Sequence, residues 1–204
     1  MLKYLIFGIT YAFAAAVQPG PFQAFLIFQT LKKGWRSTLP AALAPIISDG
    51  PILLLVLFLL STVPENFIII LRIGGGLFLL YLGINALNSW RKYDREKSIT
   101  TDSDNRTLVN AVVVNLLNPA PYLAWSLIMG PLFLEGWKIA PVNGLALIIG
   151  FYLTMIITLM GIIILFAFAR RLGPHVSKIL LGLSSFCLIA FGIYQLWLGI
   201  NYFT

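Results

Sequence analysis

From Tyr4 to Leu31 the chain runs for 28 residues without a charged side chain. Comparable runs recur along it, separated by short clusters of Lys, Arg, Asp or Glu. About 20 apolar residues in a helix span the ~30 Å hydrocarbon core of a bilayer. Charged residues make up 10% of the chain and mean hydropathy is +0.92, where a soluble domain carries roughly 25% charged residues. So much apolar surface has to face lipid. Within lipid every backbone polar group must be paired, which leaves helices and closed barrels. Barrel strands alternate apolar and polar residues, whereas Ile52–Leu60 is continuously apolar. The expected class is an all-α membrane protein.

The charge clusters divide the chain into six expected spans, within Tyr4–Leu31, Ser37–Val63, Asn66–Trp90, Thr107–Leu134, Ile139–Ala169 and Ile179 to near the end. Short turns are expected at Pro64-Glu65 and Glu135–Lys138, and a basic loop at Arg170–Lys178. Lys3 and Ala14-Ala15-Ala16 look like parts of a signal peptide, but the apolar run continues well past them, as an uncleaved span does. Eleven of the fourteen Lys and Arg residues fall after spans 1, 3 and 5. By the positive-inside rule those loops are cytoplasmic and both termini outside. The net charge of +7 is accounted for in this way, and nucleic acid is not an expected partner.

The two halves echo each other. Gln18-Pro19-Gly20-Pro21-Phe22 in span 1 matches Asn118-Pro119-Ala120-Pro121-Tyr122 in span 4: an amide, Pro-small-Pro, an aromatic. Gly34-Trp35 is echoed by Gly136-Trp137, and Leu82-Gly83-Ile84-Asn85 by Leu198-Gly199-Ile200-Asn201. Three matches in one order point to a repeat of three spans, residues 1–91 and 107–204, joined by a polar cytoplasmic linker at 92–106. An odd number of spans per half inverts the second half, the plan of many secondary transporters.

Proline removes a helix hydrogen bond and clashes with the preceding turn. Helices 1 and 4 are therefore expected to break at Pro-x-Pro. Twenty-eight helical residues would also measure about 42 Å, too long for an unbroken span. Half-helix ends at membrane depth offer N–H groups to a carboxylate and carbonyls to a cation. Asp49 lies near the middle of span 2, where a carboxylate costs about 2.5–3.5 kcal/mol on insertion scales. It binds a substrate ammonium, carries a coupling proton, or pairs with Arg72. Gln18, Gln23, Asn115, Asn118 and Asn85 either hydrogen-bond a substrate or tie helices together, the second being favoured for Asn85. Tyr122 and Trp125 line either a cavity or the core. Gly74-Gly75-Gly76 reads as a close-packing face.

These residues resemble the LysE/RhtB family of bacterial amino-acid exporters. The resemblance covers almost the whole chain, through Pro19-Gly20-Pro21, Gly34, Asp49, Tyr81-Leu82-Gly83 and Asn115-x-x-Asn118-Pro119. It implies a six-span inner-membrane exporter of amino acids or similar metabolites, driven by the proton gradient. It also implies that the Pro-Gly-Pro region, Asp49 and Asn118-Pro119 surround the path. One departure stands out: Ala44-Pro45-Ile46-Ile47-Ser48 occupies positions before the aspartate where the family usually has glycines.

The expected substrate-binding set is Gln18, Pro19, Gly20, Pro21, Gln23, Asp49, Asn115, Asn118, Pro119 and Tyr122, with Asp49 also the ion-coupling group. Expected partners are a small amino-acid substrate, protons and the lipid bilayer; a homodimer is common among small six-span proteins, though no motif here marks one. No cofactor is expected, and nothing resembles an ATP-binding loop. A rival reading is a divalent metal-ion transporter, but hard cations call for several oxygen ligands and only Asp49 is a carboxylate deep in a span. An intramembrane enzyme is a weaker rival. Cys187 and His175 are each the only residue of their kind, too few for a cysteine or histidine metal site or an acid–base pair.

Overall fold

The computed structural model describes residues 1–59, 65–92 and 104–201. The expected turn at Pro64 and the linker positions 93–103 lie outside the described residues. Among the described residues there are ten α-helices and no strand.

Helix α1 (Leu2–Val17) and α2 (Pro21–Lys33) are one apolar run bent by 64° at Gln18–Gly20. Pro19 and Pro21 cannot donate to the ladder, so the chain leaves the helix and Pro21 restarts it at the first position, where no N–H is needed. Gly34 ends α2 with φ +89°, a left-handed region that glycine enters at no steric cost. A short α3 (Trp35–Thr38) then passes through 3-10 turns at Leu39–Leu43 into α4 (Ala44–Leu59), and α5 (Glu65–Arg91) follows.

The second half repeats the bend. Helix α6 (Asp104–Leu116) meets α7 (Pro119–Ala124), a π turn at Trp125–Met129 and α8 (Gly130–Ile139) at 54°. Long helices α9 (Pro141–Arg171) and α10 (Pro174–Ile200) complete the chain. Among the described residues four helical segments are long and apolar enough to cross a membrane, and six spans result when each bent pair crosses as one. The fold is thus a multi-span helical membrane bundle, with the two breaks where Pro-x-Pro stands.

The breaks differ in register. In the first, the second proline opens the new helix; in the second, Pro119, the first proline, does so. Asn118 explains the difference: its side-chain oxygen accepts the Ala120 N–H at 3.1 Å and caps α7 directly. Gly20 has no side chain to do this.

Two expected boundaries are corrected. Glu135–Lys138 is not a turn but the last part of α8, and α9 begins only after extended Ala140, because Pro141 disfavours a helical residue before it. The Arg170–Lys178 loop shrinks to Leu172-Gly173, where Gly173 at φ +125° reverses the chain and Pro174 opens α10. Charge marks where a chain leaves lipid; proline and glycine mark where a helix ends.

Packing rests on small residues. On α1 the buried stripe Tyr4, Gly8, Ala12 and Ala16 recurs every fourth residue and lies along α9. A Cβ at Gly8 would strike the Leu147 carbonyl oxygen, and one at Gly150 would sit 2.8 Å from that of Leu5. Helix α5 lies along α10 in the same way: a Cβ at Gly76 would be 2.9 Å from the Gly192 oxygen, and one at Gly192 3.0 Å from the Gly76 oxygen. Backbones this close are a membrane device, since lipid removes the hydrophobic drive for helices to associate. The outer faces keep large apolar side chains such as Leu54, Ile70, Leu153 and Leu165 exposed, as lipid allows.

Candidate functional site: a cavity between the two broken helices

The two bends face a common cavity of about 370 Å³, large enough for a small metabolite. From the first break it takes Gln18, Pro19, Gly20, Pro21, Phe22 and Gln23; from the second, Asn115, Asn118, Ala120 and Pro121. Asp49 comes from α4, Trp125 and Met129 from the π turn, Phe151 and Met155 from α9, and Phe191, Tyr194 and Gln195 from α10. Asp49 is the sole carboxylate among the described lining residues, which hold no Lys, Arg or His.

Asp49 is held by a specific neighbour. The Asn115 carboxamide donates to Asp49 Oδ1 at 2.9 Å and to Ser48 Oγ at 2.6 Å. Ser48 in turn sends its hydroxyl proton to the Ala44 carbonyl of its own helix, 2.9 Å away. All three side chains are buried, with Asp49 4% exposed. This ties α4 to α6 at the level of the second break. Arg72, the residue considered for an ion pair with Asp49, is not among its hydrogen-bond partners; Arg72 Nη1 donates to the Leu198 carbonyl at 3.4 Å.

The first break leaves carbonyls at the end of α1 without helical donors. Gln23 reaches back across the bend and donates its amide to the Ala16 and Ala15 carbonyls, at 3.0 and 3.3 Å. The α2 N-terminus opens onto the cavity. Its Phe22 and Gln23 N–H groups have no partner within the helix, and the helix dipole adds partial positive charge there. The α7 N-terminus offers less: Pro119 and Pro121 have no N–H, and Asn118 already occupies that of Ala120. The wall beyond is aromatic, with Trp125 1% exposed and set edge-on to Phe151 at 5.8 Å.

Eight of the ten residues singled out from sequence thus line one cavity: Gln18, Pro19, Gly20, Pro21, Gln23, Asp49, Asn115 and Asn118. Pro119 is buried at the start of α7. Tyr122 turns away, donating its hydroxyl to the Leu116 carbonyl at 2.9 Å and meeting the Phe67 ring at 5.3 Å. Sequence reasoning did not single out the α9 and α10 contributions. Gln195, a buried amide in an otherwise apolar span, carried the signal that would have found it. Among the described residues no three His, Cys, Asp or Glu side chains come together as a metal site would require.

A multi-span helical bundle whose two broken helices enclose a polar, single-carboxylate cavity has the build of a small-molecule membrane transporter. The chain matches the LysE type translocator family over residues 13–199 and belongs to that family. It is therefore a multi-pass membrane protein of a transporter family rather than an enzyme family. Searches of curated proteins and of solved structures return no match.

Proposed function

We propose that this protein exports amino acids or close relatives across the bacterial inner membrane, coupled to protons through Asp49. The observation that carries the reading is one buried carboxylate lining the same metabolite-sized cavity as the N-terminus of α2. A zwitterion fits those two poles: its ammonium at Asp49, its carboxylate at the α2 N–H groups. Gln18, Gln195 and Asn118 would grade the fit by hydrogen bonding, and the aromatic wall would receive the side chain. Protonation of Asp49 would weaken its hold on the ammonium, which is how one carboxylate serves both substrate and proton.

The halves 1–91 and 107–204 act as inverted repeats in this reading. Gly76 and Gly192, Gly83 and Gly199, and Asn85 and Asn201 are each 116 positions apart. A Cβ at Gly83 would meet Ile189 of α10, and one at Gly199 would meet Ile73 of α5. The two helices thus present equivalent faces to each other, with Gly76 and Gly192 at their crossing. Likewise α1 packs on α9 while α4 packs on α6, the contacts an exchange of halves would interconvert. Loops 1, 3 and 5 lie in the cytoplasm and both termini outside.

The test uses proteoliposomes loaded with a panel of radiolabelled amino acids under an imposed pH gradient. Gradient-driven flux of one or a few substrates, abolished by Asp49→Asn, is expected. Equal flux in wild type and Asp49→Asn would remove Asp49 from the mechanism, and no flux of any amino acid would remove the substrate class.

A further inference from the structure

Asp49 is the only charged side chain among the described residues that line the central cavity, and five carboxamides accompany it: Gln18, Gln23, Asn115, Asn118 and Gln195. Three of the five are already engaged within the protein. Asn115 donates to Asp49 and Ser48, Gln23 donates to the α1 carbonyls, and Asn118 accepts from Ala120. Gln195 is different. It is 9% exposed, and its side chain makes no hydrogen bond with any described residue. It lines both the cavity and a small gap shared with Pro21 and Asn118, which sets it at the level of the breaks, near the start of α2. A buried amide seldom stays without a partner, so Gln195 calls for a ligand group beside the α2 N–H groups.

The apolar lining comes from three other faces. Tyr11 belongs to α1, Phe151 and Met155 to α9, one turn apart, and Phe191 to α10. The rings brace one another, with Tyr11 6.3 Å from Phe151 and Phe151 5.8 Å from Trp125. Tyr11 and Phe191 are half-buried and Met155 is 9% exposed, so this surface opens on the cavity, with Trp125 packed behind it. Trp125 also faces Asp49 with its indole N–H. The apolar surface and the carboxylate thus share a neighbour. An α-amino acid carries its ammonium and its side chain on one carbon and needs the two poles this close.

A side chain laid on this surface meets rings and a thioether. Asp49 faces the α-ammonium and is the sole carboxylate, so a second charge on the substrate would be buried without a counter-ion, which is costly in a low-dielectric site. Glycine or alanine would leave much of the 370 Å³ unfilled and forfeit the apolar contact. Methionine is unbranched and adapts to its neighbours, so Met155 admits side chains of several shapes.

We infer that the central cavity selects neutral amino acids with an apolar side chain the size of leucine, methionine or phenylalanine. Tyr11, Phe151, Met155 and Phe191 receive that side chain, and Gln195 donates to the substrate carboxylate. The substrate class rests on the proposed function above and narrows the amino acids it allows.

The test measures kcat/KM for the flux of single radiolabelled amino acids through the full chain in proteoliposomes, under one imposed pH gradient. Leucine, methionine and phenylalanine are expected to exceed lysine and glutamate by at least about 100-fold, because a site rejects a group it leaves unpaired far more strongly than a missing methylene. They are expected to exceed alanine by about tenfold or more. Met155→Phe narrows the pocket and should lower the phenylalanine-to-alanine ratio about tenfold; a ratio does not depend on how much of the variant folds. Gln195→Leu should raise KM about tenfold for all substrates alike and leave the ratios between them unchanged. Lysine or glutamate carried as well as leucine would overturn the inference and leave the proposed function standing, as would a preference for glycine or alanine. A phenylalanine-to-alanine ratio indifferent to Met155→Phe would overturn the assignment of the pocket, and a KM indifferent to Gln195→Leu that of the carboxylate donor. No flux of any amino acid would defeat the proposed function, and this inference with it.

Discussion

Asn115 donates both amide protons inside one buried cluster, and Asp49 depends on it. Ser48 accepts one of those protons and sends its own to the Ala44 carbonyl four residues back. The two residues should therefore respond differently to truncation. Asn115→Ala removes the N–H group that faces Asp49 Oδ1 and is expected to cost about 1–3 kcal/mol, the range for a buried polar group left unpaired. Flux should fall at least about tenfold in liposomes. Ser48→Ala should lower flux less than Asn115→Ala does, because it orphans only the Asn115 N–H that faced Ser48 and leaves the Asn115–Asp49 bond in place. Similar losses from both would mean that the cluster, rather than the Asn115–Asp49 bond, sets the carboxylate. Asp49 and Asn115 were legible from the sequence as polar residues in apolar spans. Their pairing was not, because they are 66 positions apart and nothing local encodes the approach of α4 to α6. Tyr122 shows the opposite limit. An aromatic beside a break looks like a cavity residue, yet the Leu116 carbonyl, six residues back across the break, claims its hydroxyl.

At the scale of elements, the breaks were foreseen because proline acts locally, through its own missing N–H. Their repair was not, since Gln23 could be read equally as a ligand or a brace until α1 and α2 were placed. Gln23→Leu leaves the Ala15 and Ala16 carbonyls without that donor and is expected to lower the thermal midpoint in detergent, by about 1–3 kcal/mol of stability; an unchanged midpoint would show that water or lipid supplies the bond. The glycines separate in the same way. Gly161 has nothing within 4 Å of a built Cβ, whereas Gly192 would press on Leu80 and on the Gly76 oxygen. Gly192→Ala should therefore destabilise by about 1–3 kcal/mol, as overpacking does, while Gly161→Ala should be neutral or mildly stabilising. The comparison is made on thermal unfolding of the two purified variants. A sequence reading sees both as glycines in apolar helices; only the helix crossing tells them apart.

For the molecule as a whole, the direction of transport rests on charge outside the helices. In the proposed orientation, with loops 1, 3 and 5 cytoplasmic, the opening between α2, α5 and α6 faces the cytoplasm, and the rocking of one half against the other would expose it and the opposite face in turn. Both statements can be checked on one pair of positions. Cys187 is the only cysteine, so Cys187→Ser gives a clean background for Asn88→Cys, at the opening between α2, α5 and α6, and Lys138→Cys, at the end of α8. In intact cells a membrane-impermeant maleimide should label the Lys138→Cys protein and spare the Asn88→Cys protein; the reverse pattern would turn the whole molecule over. In broken membranes both positions are accessible. There, adding the transported amino acid should change the two labelling rates in opposite senses, because opening on one side requires closure on the other. A change at Asn88 alone would describe a local gate opening, in which the Gly76–Gly192 crossing holds the halves together without acting as a pivot. Opposite changes that disappear with Gly192→Leu, in protein that still elutes as wild type, would identify that crossing as the axis on which the halves turn.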